Sequence, residues 1–165
     1  MFRFKCAACD EWHEGMPSFS IDAPCYYLGM PEEQRSARCE LTTDLCVIDG
    51  EYFFARGLIE IPVQGSSEPF TWGVWVSLSN KSFAEFSYLY ETSARDIYGP
   101  YFGWLSSQLS IYPDTINLAV EVHLRNNGVR PSIVLEPSNH PLSIEQRNGM
   151  SIERVAEIYA AYMHK

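Results

Sequence analysis

Two runs of apolar residues spaced two apart constrain this chain more than any other feature. In FTWGVWVSLS, Phe70, Trp72, Val74, Val76 and Leu78 fall on one face of an extended backbone, and Thr71, Gly73, Trp75 and Ser77 on the other. In INLAVEVHLR, Ile116, Leu118, Val120, Val122 and Leu124 alternate with Asn117, Ala119, Glu121, His123 and Arg125. Successive side chains of a strand point to opposite faces, so a period of two reads as a sheet with one face on a core. EYFFARGLIEIPV precedes the first run across QGSSEP, residues 64–69, a loop short enough to favour an antiparallel pair. Gly57 within it predicts a bulge, and Pro62 an exposed end. DLCVI supplies another strand through the tight turn at Asp49-Gly50, and Asn126-Asn127-Gly128 turns the later run back into RPSIVLE.

Helical spacing is found elsewhere. Met30-Pro31-Glu32-Glu33 starts a short helix ending near Cys39, because proline has no N–H to lose at a first helical position. Ser79 caps KSFAEFSYLYE, with Phe83, Phe86 and Tyr90 along one side. YFGWLSSQL, with Leu105 and Leu109 four apart, reads as a short helix. Ser151 caps the last helix, whose expected buried stripe is Ile152, Val155, Tyr159 and Tyr162. The fold class is α+β: a mostly antiparallel sheet of about four to five strands with a few packed helices. Residues 1–50 form an irregular cysteine-containing segment packed on that sheet, and 1–165 is expected to be a single domain. A chain of 165 residues buries about 68–70% of its unfolded surface, enough for a core without covalent help.

Charge narrows the partners. With 21 acidic against 12 basic residues, the formal charge of −9 repels phosphate backbones and anionic membrane surfaces. No stretch approaches the about 20 apolar residues of a membrane span. A basic protein partner suits the field, as does plain solubility. The 10 Tyr, 9 Phe and 4 Trp suit a core of large pieces or an aromatic interface. MFRFKC shows no signal peptide, so the expected location is cytoplasmic. In a reducing compartment the five cysteines read as ligands or core fillers rather than disulfides.

The opening CAACDEWH gathers Cys6, Cys9 and His13 within one short stretch. A Cys-x2-Cys turn converges two thiolates on one point, and structural zinc takes four such sulfur and nitrogen donors. Cys46, near the start of a strand, would clamp the segment to the sheet. Cys39 on the short helix is an alternative, and Cys25 after Pro24 a weaker one. Asp10, Glu11 and Glu14 favour a bound cation and raise thiol pKa without one, which argues for structure over redox chemistry.

Candidates for catalysis are diffuse. Glu121, His123, Glu60 and Trp75 would line a groove if the more polar sheet face were open. His140, in Asn139-His140-Pro141-Leu142, would cap a local turn or reach a carboxylate such as Asp114. No nucleophile elbow, phosphate loop or HExxH helix occurs in the sequence.

Taken together, FKCAACDEWHEG, DLCVIDGEYFFARGLIEIPV, PFTWGVWVSLS, YFGWLSSQLSIYPDTINL and IVLEPSNHPLSIEQRNG resemble the bacterial domain-of-unknown-function family numbered 2199, over nearly the whole chain. The family pattern implies a metal set of Cys6, Cys9, His13 and, by the later cysteine in DLCVID, Cys46. Asp10 stands where the family has glycine, so the turn is expected to form less tightly. Trp72, Trp75, Trp104 and the His140–Leu142 segment also match. The resemblance carries no activity. The leading expectation is a noncatalytic protein-binding module with a structural zinc, in concrete form an immunity or inhibitor protein that masks a basic toxin. The alternatives are a small hydrolase using a His/carboxylate pair, and a thiol or metal sensor.

Overall fold

The computed structural model describes residues 1–164. In chain order the elements are β1 (Arg3–Lys5), β2 (Trp12–Glu14), β3 (Ser18–Ser20), α1 (Cys25–Leu28), α2 (Glu32–Arg38), β4 (Cys39–Leu41) and β5 (Leu45–Ile48). There follow β6 (Tyr52–Ile61), β7 (Phe70–Leu78), α3 (Asn80–Tyr88), β8 (Tyr101–Leu105) and β9 (Ala119–His123). The chain closes with β10 (Ser132–Leu135), α4 (Pro141–Asn148) and α5 (Ile152–Met163).

The period-two runs do make a sheet, and it closes on itself. Strands run β6-β7-β8-β9-β10 through antiparallel pairs, and β10 then returns to β6 in parallel at Ser132 and Leu58. The result is a five-stranded barrel with β5 and β4 added beyond β6 and β3 added parallel to β7. The expected sheet of about four to five strands matches the barrel core in number but lacks its closure and the three added strands. Its mostly antiparallel pairing is as expected.

Gly57 explains how the seam shuts. Its register with Val74 is continuous, so the expected bulge is absent. A Cβ there would stand 2.6 Å from Ile133 Cδ1 and 2.9 Å from the Pro131 carbonyl oxygen. Only a bare backbone lets β10 approach this closely, and the Leu58 N–H then donates to the Pro131 carbonyl at 2.9 Å.

The sheet has two dry sides. Ala55, Ile59, Trp72, Val74, Val76, Val120, Val122 and Ile133 fill the interior. Outside β6 and β7, Met30, Cys46, Ile48, Phe54 and Trp75 form a second cluster. Two tight turns hold the register, each with left-handed backbone at both central residues: Asp49 (φ 55°) with Gly50 (φ 62°), and Asn127 (φ 60°) with Gly128 (φ 74°).

Several local expectations are corrected. Residues 101–105 are strand β8 rather than a helix, because Tyr101, Gly103 and Leu105 alternate inward while Phe102 and Trp104 face solvent. The first 50 residues hold five strands and two helices rather than an irregular segment. On α5 the Ser151 side chain caps the Arg154 N–H as expected, but the buried residues are Val155, Ala156 and Ile158. Ile152 is exposed, and Tyr159 and Tyr162 are half-buried. No helix among the described residues is long and apolar enough to cross a membrane.

Candidate metal centre

β1 and β2 form a two-stranded ribbon with Phe4 opposite His13. Phe4 is buried in the main core and anchors the ribbon there. Between the strands the chain turns through Cys6–Glu11: the Cys6 N–H donates to the Glu11 carbonyl at 2.8 Å, and the Asp10 N–H to the Cys6 carbonyl at 3.2 Å. Asp10 takes left-handed backbone (φ 61°), the conformation that glycine would adopt freely. The turn thus closes with aspartate in the glycine position, and Lys5 Nζ stands 3.1 Å from its carboxylate.

This turn acts differently on its two thiols. The Cys9 backbone N–H, helped by that of Ala8, holds the Cys6 thiol below its ordinary pKa against burial and Glu11. At Cys9 the Glu11 N–H acts downward, but burial and the neighbouring Cys6 prevail and its thiol is raised. The Glu11 charge acts upward on both thiols, as expected of a local acid, but at Cys6 the backbone N–H groups outweigh it.

The Sγ atoms of Cys6 and Cys9 and ring nitrogens of His13 and His164 all lie within 4.8 Å of one another. Cys9 Sγ is 3.5 Å from His13 Nε2. The other nitrogen of that ring, Nδ1, is 3.5 Å from the Tyr159 hydroxyl. Phe4, His13 and Tyr159 pack ring against ring, with centroids 5.5 Å apart for Phe4–His13 and 4.6 Å for His13–Tyr159. His164 follows the last turn of α5, where its N–H donates to the Ala160 carbonyl at 2.9 Å.

The donor set fits zinc. Bonds of about 2.3 Å to sulfur and 2.0–2.1 Å to nitrogen give tetrahedral edges of about 3.3–3.8 Å. The Cys9–His13 edge already has that length, and the widest edge needs to contract by about 1 Å. Two thiolates would balance the charge of the dication, and two imidazoles would complete a shell with no place for water.

Cys46, expected as the fourth ligand, is not in this group. It lies wholly buried in β5 among Met30, Ile48, Phe54 and Trp75. Burial, with Cys39 nearby, pushes its thiol up to about 12, so the site holds a neutral apolar filler. Cys39 points its thiol to Met30 Sδ at 3.6 Å, and Cys25 opens α1. The donor that meets the ribbon is His164. Nothing in the local sequence marks that histidine as a donor, since the fold alone joins residues so far apart.

The catalytic candidates are engaged elsewhere. His123 Nε2 is 3.2 Å from Glu121 Oε1, while Glu60 Oε1 accepts from Arg125 Nη1 at 2.7 Å. All four lie on the outer face of the barrel. Trp75 does not join them: it is buried in the outer cluster, where its Nε1–H donates to the Ile21 carbonyl at 3.0 Å. Trp75 thus stands apart from Glu121, His123 and Glu60, which make side-chain pairs on the polar face. His140 Nδ1 accepts from the Leu142 N–H at 3.1 Å and caps α4. Its Nε2 meets the backbone carbonyls of Pro113 and Asp114 at 3.1 Å each, rather than the Asp114 carboxylate. That carboxylate accepts from the Ile116 N–H at 3.0 Å.

A cavity of about 720 Å³ opens beside the outer cluster. Met30, Ile48 and Phe54 are among its lining, with Tyr26, Tyr52 and Trp104 half-exposed around it. Arg38 reaches Asp49 through two bonds, Nε–Oδ1 at 2.8 Å and Nη2–Oδ2 at 2.7 Å, and both residues line the cavity.

Residues 5–150 match the family model described as "Uncharacterized protein conserved in bacteria (DUF2199)", and the chain belongs to that family. His164 lies beyond the matched segment. No curated protein and no solved structure is significantly similar to the chain.

Proposed function

Taking that family membership as the premise, we propose that the chain is a noncatalytic protein-binding module fastened by one structural zinc at Cys6, Cys9, His13 and His164. The observation that carries the proposal is the meeting of four donors from two ends of the chain. Four protein donors saturate a tetrahedral ion, so the metal would polarise no substrate and activate no water. It would instead tie the N-terminal ribbon to the end of α5. Tyr159, facing the far nitrogen of His13, supports the reading as a partner that fixes the ring.

The binding surface in this proposal is the aromatic cavity, and its occupant a basic protein segment bearing an apolar side chain. Half-exposed Tyr and Trp are side-chain types that dominate binding energy at interfaces. The charge of −9, with Glu51 beside the cavity in excess of the Arg38–Asp49 pair, favours a cationic partner of the kind an inhibitor or immunity protein masks.

Metal analysis of the purified chain and its variants tests the first part. One zinc per native chain is expected, retained in C46A and weakened at least about tenfold in H164A. Native protein that binds no zinc, either as purified or on titration, would overturn it. A photo-crosslinking residue at position 52 tests the second part, with position 88 as an exposed control outside the cavity. A basic protein captured only from position 52, and lost in W104A, is expected. Equal capture from both positions would contradict the assigned surface.

A further inference from the structure

A second, smaller cavity of about 120 Å³ lies beside the β6–β10 seam, remote in sequence from the metal donors. Three arginines line it: Arg56 from β6, Arg95 from the loop after α3, and Arg130 just before β10. Asp44 is the one carboxylate of the lining, so three guanidiniums against one acid leave two positive charges. That excess occurs in a chain whose formal charge is −9, so general composition does not account for it.

The donors are not all used. Arg95 is 3% exposed. It spends its N–H groups on the carbonyls of Leu89, Tyr90, Arg125 and Val129, which fix it without cancelling its charge. Arg56 donates to the carbonyls of Thr43 and Ile21, and its Nε is buried with no acceptor. Arg130 gives Nε to Asp44 Oδ1 at 2.8 Å, and its two terminal nitrogens have no acceptor among the described residues. Asp44 has little left to offer, since Oδ2 already accepts from the Tyr90 hydroxyl at 2.6 Å. Burial and then Arg130 hold the Arg56 pKa below its ordinary value, while Asp44 and Asp22 act weakly against this. Arg95 is buried, Arg56 and Arg130 are half-buried, and three like charges lining one small cavity with an unspent buried N–H at Arg56 favour an anion between them.

We propose that this cavity binds one tetrahedral oxyanion, phosphate or the terminal group of a phosphate monoester, between Arg56, Arg95 and Arg130. Its volume of about 120 Å³ leaves room for one such group. Planar guanidiniums give phosphate paired, charge-assisted hydrogen bonds. Asp44 competes with the anion for Arg130, and this gives the site a distinctive response to mutation.

Calorimetric titration of the metal-loaded chain with inorganic phosphate, at constant ionic strength set by chloride, tests the proposal. One site per chain is expected, with sulfate competing. Asp44→Asn keeps the shape of the acceptor for Tyr90 but removes the competing charge, and should tighten phosphate about threefold or more. Arg130→Gln should weaken it about tenfold, the loss of one charge-assisted bond. A parallel titration with glycerol 3-phosphate identifies the source: binding of phosphate alone marks a free ion, and binding of both marks a monoester terminus. No saturable binding to the native chain below about 10 mM overturns the proposal. So does an affinity that Asp44→Asn leaves unchanged or weakens, which requires only that this conservative variant folds.

Discussion

The Tyr159 hydroxyl stands 3.5 Å from Nδ1 of His13, on the opposite side of the imidazole from Nε2, which faces Cys9 Sγ at the same distance. One ring nitrogen is thus directed at the proposed metal and the other at a group that can hold its proton. In metal sites such an outer partner fixes the tautomer and orientation of the ligand. Tyr159→Phe keeps the ring packing on Phe4 and His13 while removing the oxygen. Zinc affinity should fall about tenfold, with the thermal midpoint of the metal-free protein little changed. Competition against a chelator of known affinity measures it.

Removing the metal should loosen the two ends of the chain and spare the barrel. The ribbon is anchored in the core through Phe4 and the last turn of α5 through Tyr162, whereas β6–β10 form a closed ring of backbone pairing. Hydrogen exchange after chelation should accelerate at residues 3–14 and 160–164, with protection across β6 and β7 retained. Loss of protection throughout would show that the metal supports the whole fold.

Asp10 holds left-handed backbone that costs an L-residue about 1 kcal/mol or more. Asp10→Gly relieves this cost and gives up only an exposed contact with Lys5. The variant should be more stable by up to about 1 kcal/mol in denaturant unfolding of the zinc-loaded protein. A destabilised variant would mean that the Lys5 pair or the unfolded chain's added freedom outweighs the strain.

Gly57 should tolerate no side chain. Gly57→Ala puts a methyl against Ile133 and the Pro131 carbonyl, and a loss of about 1–3 kcal/mol is expected in unfolding. Gly50 has open space around its Cβ position, so Gly50→Ala should lose stability through its positive φ alone.

His140 should behave as a structural residue. It accepts from the first turn of α4 through Nδ1 and meets two carbonyls through Nε2. His140→Ala should cost about 1–2 kcal/mol, the value of a lost cap with an associated hydrogen bond.

How much of this was legible in the sequence depended on distance along the chain. The alternation in residues 70–78, the serine caps at Ser79 and Ser151, and the Asn127-Gly128 turn are local, and each element formed where its pattern pointed. The parallel seam between Leu58 and Ser132 has no local signature, and Gly57 was open to a bulge reading because its neighbour in space is Ile133. Tyr101–Leu105 was misread because Leu105 and Leu109 are four apart, although Leu105 belongs to an alternating strand. At the metal centre, Cys6, Cys9 and His13 stood close in sequence and are close in space. His164 was missed as a donor because only the packing of α5 against the ribbon brings it there. Cys46 looked suitable by residue type, yet its surroundings are apolar throughout.

X-ray absorption at the zinc edge of the native, as-purified protein tests the central claim most directly. The account requires two sulfurs at about 2.3 Å and two nitrogens at about 2.0–2.1 Å, with one nitrogen lost in His164→Ala. A shell of three sulfurs and one nitrogen, or native protein that carries no zinc, would contradict it.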